Sequence, residues 1–182
     1  IVAAQTQLND RAIKHLKRAM SIKPDAIEPF INMGYLNLNM NKPKEALSAF
    51  LHAQSLDREN VEAQIGRGLA LQSLEQYQKS NEVFRTIQKT APNDHRIFYH
   101  IGNTYQKMGQ LDEAIVAFKK SIALNSNFFE AQNNLGHVFL DKGMYLDAST
   151  AFKNAIKIRP QNAGAHCNLG NALTNIDTNE AI

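Results

Sequence analysis

Hydrophobic and small residues recur along this chain with two nested periods. The short period is helical. Between His95 and Phe128, the residues Phe98, Ile101, Tyr105 and Met108 fall three or four apart, and after a break at Gly109 a second helix is predicted to turn Leu111, Ile115, Phe118, Ile122 and Leu124 inward. The long period is 34 residues, and it is carried by Gly34, Gly68, Gly102, Gly136 and Gly170. An aromatic column, Phe50, Phe84, Phe118 and Phe152, keeps the same step, with Leu16 in its place upstream. Two columns of mostly small residues run in phase: Ala12, Ala46, Ser80, Ala114 and Ala148, then Ala19, Ala53, Ile87, Ser121 and Ala155. Proline recurs at Pro24, Pro92 and Pro160, with Arg58 and Ser126 breaking that column. Self-similarity at such a period is the mark of a repeat architecture.

Each period reads as helix, turn, helix, turn, so the predicted fold is all-α. Gly109 and Gly143 supply left-handed stops to first helices, and the prolines mark breaks between periods. Asp112 and Glu113 stand near the positive N-terminal end of a second helix. The glycine column falls in mid-helix, where Gly costs roughly 1 kcal/mol relative to Ala. Its repeated use predicts a neighbour too close for a Cβ. The expected partner is the small column of the following helix, Gly34 against Ala46 and Gly102 against Ala114, backbone to backbone.

These columns resemble the tetratricopeptide repeat (TPR) family, and the resemblance covers nearly all of the chain. Residues 27–60, 61–94, 95–128 and 129–162 make four full repeats, flanked by partial repeats at 1–26 and 163–182. The second full repeat departs most, with Arg67, Ser80 and Ile87 in positions where the others carry Met or Leu, Ala, and a small residue. The resemblance implies one continuous TPR array over 1–182. Its form would be a right-handed superhelix, an α-solenoid of antiparallel helix pairs, with first helices lining a concave groove. The chain starts at Ile1 and both ends cut through a repeat, so it is expected to be a piece of a longer protein. Leu169, Leu173 and Ile176 are expected on an open repeat end, where end-to-end self-association is a possible outcome.

Composition narrows the chemistry. The 182 residues are 43% hydrophobic and 20% charged, too apolar and too balanced for a disordered chain. No apolar run reaches the roughly 18 residues of a membrane span, so membrane insertion is not expected. The net charge of +3 is too small for a nucleic-acid footprint, and the basic run from Arg11 to Lys23 reads as a solvated helix face. A single cysteine, Cys167, points to a reducing, intracellular and cytoplasmic setting. The six histidines show no metal-ligand spacing, Gly66-Arg67-Gly68 lacks the rest of a phosphate loop, and Cys167 lacks an orienting acid. No catalytic residue, metal or cofactor is expected within the chain.

The groove remains. First-helix residues that the TPR geometry turns toward the concavity include Asn32 and Tyr35, then Arg96, Tyr99 and Asn103, then Asn133, Asn134 and His137, and finally Asn168 and Asn171. Asn32, Asn134 and Asn168 share one repeat phase, interrupted by Gly66 and His100; Asn103 and Asn171 share another. An asparagine amide carries both donors and an acceptor, so a row of them suits an extended peptide backbone. Among TPR sub-patterns, the carboxylate clamp of chaperone-tail binders is incomplete. Asn103 and Asn134 fill its asparagine places, but Tyr99, Gly164 and Asn168 stand where basic residues belong. The runs AQNNLG (131–136) and AHCNLGNAL (165–173) are similar to the asparagine ladder of O-GlcNAc transferase-like proteins. Three functions follow as expectations: a scaffold that binds a protein or peptide partner in the groove, a substrate-docking arm of a larger glycosyltransferase, or a self-assembling array.

Overall fold

In a computed structural model the described residues run from 2 to 180, with side chains from 6 to 176. They form ten α-helices and no strand. These are α1 (Val2–Ile22), α2 (Glu28–Asn39), α3 (Pro43–Leu56), α4 (Val61–Ser73), α5 (Tyr77–Thr90), α6 (His95–Lys107), α7 (Leu111–Leu124), α8 (Phe129–Asp141), α9 (Tyr145–Ile158) and α10 (Ala163–Glu180). The chain divides into two compact units, 1–87 and 88–182. The border falls within α5, in the repeat whose columns depart most from the rest.

In unit 1–87, α2 packs on α3, α3 on α4, and the first helices α2 and α4 also touch. In unit 88–182 the same scheme recurs: α6 with α7, α7 with α8, α8 with α9, α9 with α10, while α6, α8 and α10 adjoin in turn. The core of each unit holds two plugs of the aromatic column. Phe50, Phe84, Phe118 and Phe152 are each fully buried, with Ala46, Ala114 and Ala148 beside them. A buried phenylalanine of this kind holds its layer together by about 3–5 kcal/mol against truncation to alanine.

The glycine column is where expectation and structure part. A Cβ on Gly34 would stand 2.5 Å from Phe50 Cζ; on Gly68, 2.5 Å from Phe84 Cζ; on Gly102, 2.7 Å from Phe118 Cε1; and on Gly136, 2.5 Å from Phe152 Cε1. The close partner is therefore the ring of the second helix and not its alanine column. The physical reason is reach: the flat face of a phenylalanine four residues beyond the alanine extends across to the glycine backbone. Phe50 serves twice, since a Cβ on Gly66 would come within 2.1 Å of its Cε1. Over Gly170, nothing described lies within 4 Å. Ser80, which replaces alanine in the small column, is buried and donates its Oγ–H to the Gly68 carbonyl at 2.9 Å.

Helix ends repeat as strictly as helix faces. Asn41, Glu75, Gly109 and Gly143 all have positive φ (56°, 58°, 73° and 71°), one at each first-helix C-terminus. The next residue's N–H closes each turn: Lys42 to Asn37 O at 2.8 Å, Gln76 to Leu71 O at 2.9 Å, Gln110 to Tyr105 O at 2.9 Å, and Met144 to Phe139 O at 2.9 Å. This is the Schellman arrangement, which glycine enters without strain and Glu75 does not. Two first helices are capped by asparagine side chains: at α4 Asn60 accepts from Ala63 N at 3.0 Å, and at α10 Asn162 accepts from Ala165 N at 2.9 Å.

Candidate binding site

Within unit 88–182, the neighbouring first helices α6, α8 and α10 bring six of the sequence-selected residues into two rungs of identical plan. In the first rung Asn134 on α8 donates its amide Nδ2 to Asn103 Oδ1 at 2.8 Å and to Tyr99 Oη at 3.4 Å, both on α6. In the second, Asn168 on α10 donates Nδ2 to Asn133 Oδ1 at 3.1 Å and meets His137 Nε2 at 3.1 Å, both on α8. The sequence separations are 35 and 31 in each case, because one repeat plus or minus part of a turn places two side chains opposite each other on adjacent first helices. All six side chains are half-buried. Tyr99 is braced from behind by the ring of Phe128 at 5.0 Å, and His137 by that of Phe152 at 5.3 Å.

The rungs decide what each amide still offers. With their Nδ2 groups turned to the preceding helix, Asn134 and Asn168 keep Oδ1 without a protein partner among the described residues. Asn103 and Asn133 accept through Oδ1 and keep their amide hydrogens. The face thus carries acceptors and donors side by side, held in place by each other rather than by solvent. Such pre-arranged polar groups lose little entropy on binding.

Electrostatics here are mild. His137 has its pKa pushed below the usual histidine value by burial, partly countered by the carboxylate of Asp141 one turn along α8. With the ring neutral and its proton on Nδ1, Nε2 accepts from Asn168. Asp141 in turn accepts from Gln106 Nε2 of α6 at 3.4 Å. Gln106 was not singled out from the sequence, yet the signal was there: it precedes Asp141 by the same 35 positions as Tyr99 precedes Asn134.

The remaining predicted residues lie elsewhere. Arg96 is folded back on Asp94 at the start of α6, with Nη2 at 2.8 Å from Oδ2 and Nε at 3.1 Å from Oδ1, while its backbone N–H donates to Oδ1 at 2.9 Å. Burial raises the Asp94 carboxyl, but hydrogen bonds from Arg96 and the charges of Arg96 and His95 outweigh it and hold the pKa low. Asn171 is exposed, and its Oδ1 accepts from Asn175 Nδ2 at 3.1 Å. In unit 1–87, Asn32 is exposed, and Tyr35 donates its hydroxyl to Glu62 Oε1 at 2.8 Å while its ring stands edge-on to Phe50 at 5.1 Å. Among the described residues, no three His, Cys, Asp or Glu side chains gather as a metal set would, and no helix is long and apolar enough to cross a membrane.

Two family models match the chain, "Tetratricopeptide repeat" over residues 27–60 and "TPR repeat" over 102–143 and 136–176. The chain belongs to the tetratricopeptide-repeat family. Among solved structures it is similar to TTC0263, a thermophilic TPR protein of Thermus thermophilus, with a TM-score of 0.82 over 94% of both chains at 16% identity. That likeness shows the all-α TPR fold. Among curated relatives it is 29% identical over 58% of its length to the peroxisomal targeting signal receptor of Kluyveromyces lactis. It is 30% identical over 62% of its length to a probable UDP-N-acetylglucosamine–peptide N-acetylglucosaminyltransferase, SPINDLY, of Hordeum vulgare. The chain spans 19% and 12% of the lengths of these two relatives.

Proposed function

We propose that this TPR chain is a protein-interaction scaffold, and that the shared face of α6, α8 and α10 holds an extended segment of a partner protein by its backbone. The observation that carries this reading is the recurrence of one three-residue rung at a step of 34, Tyr99–Asn103–Asn134 and then Asn133–His137–Asn168. A repeating ligand is the natural counterpart of a repeating site, and the polypeptide backbone repeats N–H and C=O whatever its side chains. Oδ1 of Asn134 and Asn168 would accept from backbone N–H groups, and Nδ2 of Asn103 and Asn133 would donate to backbone carbonyls. A targeting-signal receptor among the relatives supports recognition of a peptide segment.

The test is selection from a library of unstructured dodecapeptides, followed by affinity measurement on the enriched sequences. Losing one amide contact at a desolvated site costs about 1–1.5 kcal/mol, roughly a tenfold loss of affinity. Asn134→Ala with Asn168→Ala should therefore weaken binding about 100-fold with helicity retained. Equal affinity in the double variant would remove the face as the binding site.

A second reading makes this array the substrate-docking arm of a larger enzyme, a glycosyltransferase by class. The similarity to SPINDLY favours it. It needs no change in the face, only a catalytic domain outside these residues; an open reading frame that encodes no nucleotide-sugar-binding domain would end it.

A further inference from the structure

The two rungs differ at one decisive place. The second acceptor in the first rung is Asn103; in the second rung the same repeat position is His137. An asparagine oxygen accepts at any pH. An imidazole nitrogen accepts only while the ring is neutral, and becomes a donor on protonation. We propose that His137 is the specificity-determining residue of the second rung: neutral, it holds Asn168 with Oδ1 outward, and protonated, it inverts the amides of Asn168 and Asn133, so that the rung presents the opposite polarity to a bound backbone. This rests on the peptide-binding reading above for its consequence, but not for its occurrence.

The inversion follows from donor and acceptor counting. Asn168 Nδ2 lies 3.1 Å from both His137 Nε2 and Asn133 Oδ1. A proton taken from solvent onto Nε2 sets N–H against N–H, which both groups can relieve by turning the Asn168 amide through half a turn. Asn168 Oδ1 then accepts from Nε2–H. The same turn sets it against Asn133 Oδ1, so Asn133 turns as well and donates Nδ2. Both contacts are satisfied again. What has changed is the outer edge: Asn168 now offers N–H where it offered C=O, and Asn133 the reverse. The first rung, built from Tyr99, Asn103 and Asn134, contains no imidazole.

The groups around His137 set how readily it takes the proton. Burial disfavours the charged ring, and Asp141 on the same helix favours it. Gln106 of α6 holds Asp141, and Lys107 at the end of that helix is exposed. From α9 the neighbour is the uncharged Phe152 ring, with Lys153 and Lys157 exposed. From α10 it is the neutral Asn168; His166 on that helix is bonded to the Pro160 carbonyl and Cys167 is exposed. On α7, Asp112 is engaged by Lys142. No cation is thus set against the ring by these contacts, and Asp141 stands ready to accept its charge.

The test needs no ligand. In the full chain, the His137 ring nitrogens and the side-chain amides of Asn168, Asn133 and Asn134 are followed by heteronuclear NMR from pH 8 to pH 5. The expected result is that Asn168 and Asn133 amide signals move with the His137 midpoint, while Asn134 stays still. His137→Asn should silence both, and Asn103→His should make Asn134 titrate, transplanting the behaviour to the first rung. A His137 that titrates while the Asn168 amide stays fixed would overturn the proposal, as would an Asn168 that still titrates in His137→Asn. If the amides invert but a library-selected peptide binds equally at both pH values, the switch stands and the reading that places the peptide backbone on the second rung fails. Where binding does occur, peptides selected at pH 8 should lose about tenfold in affinity at pH 5, and lose nothing in His137→Asn.

Discussion

Residues 1–87 and 88–182 use the same repeat for opposite ends. In the later unit, Asn134 and Asn168 fill the repeat position that faces the preceding first helix, and each ties two side chains into a polar rung. In the earlier unit that position holds Asn32, which is exposed, and Gly66, where the ring of Phe50 occupies the space an asparagine would need, within 2.1 Å of where its Cβ would be. Gly66 spends the position on packing, Asn134 and Asn168 on polar chemistry. A repeat scaffold thus separates the two tasks: the aromatic plug and the glycine notch keep the fold, while one inner column is free to vary between contact and function. In the earlier unit Tyr35 and Glu62 make a polar link of another kind, a hydroxyl-to-carboxylate bond at 2.8 Å.

The largest effect should come from the plug itself. Phe50→Ala empties a site that covers two glycines, Gly34 and Gly66, whereas Phe118→Ala uncovers Gly102. Both should cost about 4 kcal/mol in urea unfolding, with Phe50 the costlier of the two. A larger loss at Phe118 would break the contrast drawn between the units. Next comes Gly66→Asn, which writes the rung residue into the packing unit. Overpacking against the Phe50 ring should cost about 2–3 kcal/mol, while the reciprocal Asn134→Gly should cost nearer 1–2 kcal/mol from helix propensity and one lost hydrogen bond. A neutral Gly66→Asn would mean that the ring yields, and that packing does not exclude a rung there. Smallest is Glu75→Gly. Glu75 sits at φ 58° where the later unit has Gly109 at 73° and Gly143 at 71°, so the exchange should stabilise by about 1 kcal/mol in the same assay. No gain would show that the glutamate is relaxed in that turn.

Much of the fold was legible in the amino-acid order because its causes are local. Helical spacing, the glycine stops at Gly109 and Gly143 and a buried aromatic every 34 positions can be read along the chain, and the structure keeps all three. The left-handed turns at Asn41 and Glu75 were less visible, since neither residue advertises a positive φ as glycine does. The partner of the glycine column was misassigned for a different reason. Periodicity says that something must be small, but not which neighbour leans into the gap, and the reach of Phe50 across to Gly34 depends on how two helices cross. Arg96 shows the same limit: its sequence position is on the inner face, yet a carboxylate two residues earlier and a helix start to cap draw it back to Asp94.

The order of residues alone determined the helix pairs, the 34-residue step and the buried aromatic of each repeat, because helical spacing and the recurrence of a residue type are both read along the chain. Tertiary structure alone decided which amide gives its hydrogens to which neighbour, and therefore which atoms remain for a partner. That choice is made between side chains 31 and 35 positions apart, and the distance between them is set by helix packing, not by any pattern within one helix.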